Sequence, residues 1–409
     1  MKTQIGSRTK TRRSGARGFT LVELLMATTA GVMVSAAAFL LARNASAVFQ
    51  EETRITAAQL SASLGIQRIA SDLSRAGFLT TANIQTDPFV CNEAGTWPQI
   101  VAGLRAVRID QEGSLSAHPA DLAQSVNNGF APDSIDIASS FDSGEMFPVR
   151  TIEAGGGGKI VHLETSNLPM TRTCKGKTLA LCEPDLQRIF KENRMLRLLT
   201  PTGHQIYGLI DHLEVTDKIK VWLQATPAVP AVALNPKGYE GDCNYCLANV
   251  LSVVRYELQS MAGDAQYGAL VAPAAAAATG DDLRTELVRS ELDRTGTPIP
   301  ESRELVSEFA VDLKFGISTI DADTKAVTDI PITLPANQAV YTTAAERIRS
   351  VHVRLSTRAR APDRDTDMPV GPDGRRHRFQ LVIFNKPTYA RMRTLYTEVA
   401  LQNLVRATW

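Results

Sequence analysis

The chain has 409 residues, with 44 Lys+Arg against 43 Asp+Glu, a formal charge of +1. That balance argues against a protein held to nucleic acid by bulk charge and against a long acidic tail. At 44% hydrophobic and 21% charged residues, the composition is that of globular material, long enough for one large or two modest domains.

The charges are unevenly placed. Residues 1–18 hold six basic side chains and no acidic one, so the remainder carries 38 basic and 43 acidic groups, net −5. A basic leader on a mildly acidic body reads as a sorting signal. Residues 19–42 follow, FTLVELLMATTAGVMVSAAAFLLA, apolar at 18 of 24 positions with Glu23 as the single charge. As a helix this segment spans about 36 Å, enough for a hydrocarbon core of about 30 Å. The basic leader then stays cytoplasmic and the C-terminal body lies outside the membrane. The later apolar run 271–279 is short and interrupted by Pro273, so one crossing is expected. A secretory signal peptide competes, helped by Ala45-Ser46-Ala47, but its apolar region is only about 7–15 residues long. A plain uncleaved anchor also competes, and Glu23 counts against it: a carboxylate in a membrane segment costs on the order of 1–3 kcal/mol, so it needs a partner.

No proline occurs from Asn44 to Ala76. Val48, Ile55, Ala62 and Ile69 recur every seven residues, with Ile66 and Leu73 in the same stripe, while Glu51, Glu52, Arg54, Gln59, Arg68 and Asp72 fall largely elsewhere. This predicts that the helix continues over residues 43–76 as an amphipathic segment, ended by Gly77. The repeat is short and alanine-rich for a coiled coil, which favours a helix docked on a sheet.

Residues 77–409 read as a sheet-rich head. Strands are predicted at Ser134–Ala138, Lys159–Glu164, Ile219–Leu223, Val253–Leu258, Phe309–Phe315, Ile348–Leu355, Phe379–Phe384 and Leu395–Leu401. The closing strands are expected to be antiparallel neighbours, with Ile348, Val351, Val353 and Leu355 facing inward. The stretches 225–238 and 271–282 are Pro/Ala/Gly-rich and linker-like. The fold class expected is α+β.

Gly18-Phe19-Thr20-Leu21-Val22-Glu23-Leu24-Leu25 behind a short basic leader resembles the class III signal of type IV prepilins. Ser71-Asp72-Leu73-Ser74-Arg75-Ala76-Gly77-Phe78 is similar to a signature of PilW-type minor pilins. Arg255-Tyr256-Glu257-Leu258, Glu286–Glu291 and Leu305–Gly316 resemble that family's central pattern, and Arg347–Arg358 with Thr397–Leu404 its closing pair. The resemblance implies a leader (1–18) cut between Gly18 and Phe19 by a prepilin peptidase, N-methylation of Phe19, and a polymerisation helix over 19–42. It further implies a pilin-like head, enlarged around 85–250. Glu23 would set axial register by pairing with the Phe19 amine of a neighbouring subunit, giving a buried charge its partner. The implied function is that of a minor pilin priming or capping a pilus used for motility, adhesion or DNA uptake. Its partners would be other major and minor pilins and a tip adhesin, reached from an inner-membrane, periplasm-facing state. A J-type pseudopilin of a type II secretion system is the alternative.

Outside that signal, no constellation points to catalysis or a cofactor. In an oxidising exterior, Cys174 with Cys182 and Cys243 with Cys246 are candidate local disulfides, leaving Cys91 odd. A zinc site from the same four is the other option, with a spacing unlike a zinc ribbon. The six histidines are scattered. The glycine run 155–158 ahead of Lys159 lacks both the first glycine and the Ser/Thr of a phosphate loop, and reads as a turn. Asp363, Asp365 and Asp367 begin like a calcium loop, but Met368 replaces the turn glycine and Gly374 the bidentate acid. Nine arginines lie between Arg347 and Arg378; mixed salt bridges on wet strand faces are preferred there to DNA binding, for which aromatics are sparse.

Overall fold

The computed structural model describes residues 19–91, 97–111, 119–155, 157–227, 245–271, 284–331, 344–362, 378–383 and 386–405. The chain forms two compact units, Met1–Thr53 and Arg54–Trp409. Helix α1 (Leu21–Ser74) is continuous through the junction, close to the 19–76 expected.

Short helices α2 (Gln99–Ala102), α3 (Ala123–Asn127) and α6 (Gly268–Val271) accompany a helical hairpin of α4 (Leu168–Cys174) and α5 (Leu179–Ile189). The strands are β1 (Val107–Asp110), β2 (Ser134–Ser139), β3 (Phe147–Gly155), β4 (Gly158–Leu163), β5 (Met195–Leu199), β6 (Gln205–Val215), β7 (Ile219–Leu223), β8 (Leu247–Gln259), β9 (Glu286–Glu291), β10 (Glu304–Ser307), β11 (Ala310–Ile320), β12 (Val327–Ile330), β13 (Ile348–Arg358), β14 (Arg378–Ile383) and β15 (Lys386–Ala400). All pairings between them are antiparallel. The fold is thus α+β, with a long apolar N-terminal helix.

Two sheets carry the second unit. One is five-stranded, in the order β12-β11-β13-β15-β14, and it makes β13 and β15 the expected antiparallel neighbours. The other is ten-stranded and changes character along β8. The second half of β8 lies in an open sheet between β2 and β9. Its first half pairs with β5 and β3, and through β4, β7 and β6 these strands close a six-stranded ring. Phe147, Val161, Leu196, Ile206, Val221 and Ala248 fill this ring with Met170, Leu186 and Phe190 of the α4–α5 hairpin. Residues 85–250 therefore contribute β1 to β7 and the start of β8.

A larger core joins the last part of α1 to both sheets. Ile66, Ile69, Leu73 and Ala76 pack with Val107, Ile137 and Val254 of the open sheet and with Leu313, Val353 and Leu355 of the five-stranded one. Burial of each such Ile or Leu stabilises by about 1.5–3 kcal/mol. Of the predicted stripe, Ala62, Ile66, Ile69 and Leu73 are buried, Ile55 is half-buried and Val48 is 58% exposed. A Cβ at Gly65 would stand 2.6 Å from a Leu355 methyl and 3.0 Å from the Ser307 Cβ, so this helical glycine permits the close approach of α1 to the strands. At Gly77 the backbone turns left-handed, φ 77°, as the predicted stop requires. Asn403 Nδ2 donates to the terminal carbonyls of Ser74 and Ala76.

A second tie links ring and open sheet. Arg194, 6% exposed, donates to both carboxylate oxygens of Glu291 at 3.1 and 2.7 Å, and to the Arg188 and Ile189 carbonyls that end α5. Burial alone would raise the Glu291 carboxyl, but the Arg194 hydrogen bonds and charge outweigh it and hold the group below its ordinary range. A depressed folded value means the stabilisation is full above the ordinary Glu value, about pH 4.3, and fades as pH falls toward the folded value. Glu291→Gln is expected to cost about 1–3 kcal/mol at pH 7. In urea unfolding of the full chain in detergent, its deficit against the parent should shrink as pH falls from about 5 to about 3, through the ordinary Glu value.

Candidate assembly helix and its buried anchor

Within the first unit, α1 carries a membrane-compatible stretch of mean hydropathy 2.0, with none of it buried. Phe19, Leu21, Val22, Met33, Phe39 and Leu41 are all exposed, Phe19 at 85%. A fully bared helix of this composition is stable only in lipid or against other apolar helices. Two of its threonines are satisfied internally: Thr28 Oγ1 donates to the Leu25 carbonyl, and Thr29 Oγ1 to those of Leu25 and Met26.

Glu23 sits in the first turn and has a partner within its own chain. The Thr20 backbone N–H and hydroxyl both donate to Glu23 Oε2 at 3.0 Å, and the Glu23 N–H donates back to Thr20 Oγ1 at 3.3 Å. This is a reciprocal capping box, Thr-x-x-Glu, closing the free N–H groups of the helix start. Besides the partner in a neighbouring subunit that the resemblance implies, the carboxylate is thus also a cap, a role its spacing from Thr20 encodes. Phe19 directly precedes the box, and Gly18 lies outside the described residues.

Within the second unit, α1 is held by a buried charge. Asp72 is 2% exposed. Its Oδ2 accepts from Arg289 Nε and from the Tyr256 hydroxyl, both at 2.7 Å, and its Oδ1 from Arg68 Nη1 at 3.3 Å. Arg68 also grips Glu304 of β10 through Nε at 3.1 Å and Nη2 at 2.9 Å. The Arg289 guanidinium lies 5.3 Å over the Phe141 ring. Burial, and then the Asp72 charge, push the Tyr256 phenol far above its ordinary value, so it remains a donor. Burial disfavours the Arg289 cation, yet Asp72 outweighs it and raises this group too.

Asp72, expected to fall outside the apolar stripe, is buried all the same. A carboxylate one helical step from Leu73 is pulled inward because β8 and β9 supply a donor and a cation there. Three of the family-like segments, at 71–78, 255–258 and 286–291, meet at this point. Arg75 continues the anchor, donating to the Ser140 and Phe141 carbonyls at 2.7 and 2.8 Å.

Cys174 and Cys182 form a disulfide that ties α4 to α5. Cys246 is disulfide-bonded as well, Cys243 lies outside the described residues, and Cys91 is buried against the ring core. Asp363, Asp365 and Asp367 also lie outside the described residues. Among the described residues, no group of three or more His, Cys, Asp or Glu is placed to hold a metal ion. The glycine run closes the β3–β4 hairpin, with Gly155 opposite Gly158. Ser318, His352 and Glu398 converge on β11, β13 and β15, but the Ser318 hydroxyl donates to Asp329 at 2.6 Å, so His352 Nε2, 3.0 Å away, faces an acceptor and not a proton to abstract. Arg354 pairs with Asp312 at 2.9 Å, and the buried Arg358 lies 4.9 Å over the Phe309 ring with its Nη1 on the Ala359 and Arg360 carbonyls. These members of the arginine-rich stretch serve the sheet.

Comparison with protein-family models, curated proteins and solved structures finds no match.

Removing the cap tests the capping role of Thr20. Thr20→Ala is expected to cost about 1 kcal/mol at the helix start. Hydrogen exchange in detergent micelles should accelerate over residues 21–25 and stay unchanged over 66–74.

Proposed function

We propose that the chain is a minor type IV pilin, processed between Gly18 and Phe19, whose work is association. The observation that carries this reading is the bare apolar helix beginning directly after Phe19, with its single carboxylate held at the first turn. Both Thr20 bonds fall on Glu23 Oε2, which leaves Oε1 for the Phe19 amine of a neighbouring subunit. In lipid the capping box lowers the cost of an unpaired carboxylate; in a fibre the same group gains a cation. The helix thereby exchanges lipid for other apolar helices, with Glu23 setting the axial register.

A second unit of more than 300 residues would crowd a lattice if repeated at every position. The proposed role is therefore priming or capping at low copy number. A pseudopilin at the tip of a secretion machine would use the same helix, and the cellular readout separates the two.

Mass spectrometry of mature protein from sheared fibres is expected to find an N-terminus at Phe19 carrying one methyl group, at low copy number relative to the principal subunit. An N-terminus upstream of Phe19 sinks both pilus-type readings. Normal fibres with lost exoprotein secretion on deletion assign the chain to the secretion machine.

A further inference from the structure

A cavity of about 390 Å3 opens in the second unit where α2, β1, β2, β8 and the turn after β9 meet. This is within the usual size range of small-ligand sites, about 300–1,000 Å3. Ile100, Val253 and Leu292 give it apolar wall, and Arg105, Arg108 and Arg255 give it cationic wall.

The charges in this wall do not balance. Asp136 is the one carboxylate among the lining residues, and it is engaged by Arg255, whose Nε and Nη2 donate to its two oxygens at 2.7 and 2.9 Å. Arg108 comes no nearer to Asp136 than 4.0 Å. Arg105 donates at 3.3 Å to two neutral acceptors, the Gly103 carbonyl and Gln85 Oε1. Its Nε is buried and makes no hydrogen bond. Burial, and then the like charge of Arg108, press Arg105 below its ordinary value; the Glu346 charge, from outside the lining, only partly opposes this. Arg105 and Arg108 thus stand near one another in a partly buried wall whose one lining carboxylate, Asp136, is held closely by Arg255 and only distantly by Arg108.

The rim opposite is fixed. Asp293 Oδ1 accepts from Thr295 N and Thr297 N at 2.8 and 2.9 Å, and Leu292 bridges Pro298. The cavity is therefore preformed, which spares a ligand the cost of ordering it.

We propose that this cavity binds a small dianion, a phosphomonoester or a dicarboxylate, with its charged end on Arg105 and Arg108 and its apolar body on Ile100, Val253 and Leu292. Neither Arg105 nor Arg108 makes a close hydrogen bond to a carboxylate of the lining, and the planar fork of arginine suits either oxyanion. Nothing in this assignment depends on the pilin reading.

Isothermal titration of the full chain in detergent at fixed ionic strength tests it, with phenyl phosphate and phthalate as the two dianions and benzyl alcohol as the uncharged ring. Saturable binding of at least one dianion is expected, and which one binds identifies the oxyanion; benzyl alcohol should not bind. Arg108→Gln should weaken the affinity at least about tenfold, the scale of one lost charge-assisted hydrogen bond. Arg393→Gln, at an exposed position of β15, should leave it unchanged. Should Arg108→Gln fail to fold, Arg108→Lys keeps the charge but loses the fork, and should weaken binding severalfold. No saturable binding of either dianion overturns the proposal. So does an affinity untouched by the Arg108 substitutions, or a loss equal to that in Arg393→Gln.

Discussion

The structure depends on one buried carboxylate. Asp72 lies in the last turn of α1 at 2% exposure, reached by Arg289, Tyr256 and Arg68. An isolated charge at such a site would be prohibitively costly, and removing one partner of a buried pair typically costs about 3–5 kcal/mol. The alternatives to the observed docking are penalised accordingly. Rotating α1 by one residue would strip Asp72 of its donors while exposing Ile69 and Leu73. The apolar stripe binds the helix to the sheets, and the ion cluster specifies how it lies there. Arg75, Gly77 and Asn403 then end the helix at a fixed place.

The two parts of α1 obey different physics. From Arg54 onward, small and branched residues at helical spacing meet strands, and Gly65 brings the backbones close. Before that, apolar residues occur all round the helix, and only the box at Thr20 and Glu23 gives it a polar beginning. On the proposed reading this asymmetry is functional: one part is permanently docked, while the other changes its surroundings from lipid to neighbouring helices. β8 mediates a similar division in the second unit, belonging to the ring at its start and to the open sheet at its end. Arg194, bridging Glu291 to the end of α5, holds the two regions together.

Much of this architecture was legible from local pattern. The long helix, its stop at Gly77 and the eight predicted strands all appear, because each rests on helical periodicity, on alternation or on a flanking glycine or proline. Three strands of the ring did not declare themselves. Phe147–Gly155 carries a proline near its start and a glycine at its end, signals that demote a strand. Met195–Leu199 is a short apolar run that periodicity alone cannot tell from helix. Gln205–Val215 is broken by Gly208. Ring closure is a matter of long-range pairing, which no local window contains. The burial of Asp72 escapes sequence reading for a related reason: a carboxylate beside the apolar stripe reads as polar, and only Tyr256 and Arg289, far away in sequence, make it an interior residue. The Thr20–Glu23 box, by contrast, was open to reading, since a threonine three residues before a glutamate at a helix start is a local signal.

The central claim, that Asp72 fixes α1 on the sheet through Arg289, is tested most directly by a double-mutant cycle. Unfolding free energies of the full chain would be measured for Asp72→Asn, Arg289→Gln and the pair together. The account predicts a destabilisation of about 3–5 kcal/mol for each single change and a coupling energy of at least about 1.5 kcal/mol, because the second substitution removes a charge already orphaned by the first. Single changes whose effects simply add would contradict it, placing the hold on α1 in the apolar stripe alone.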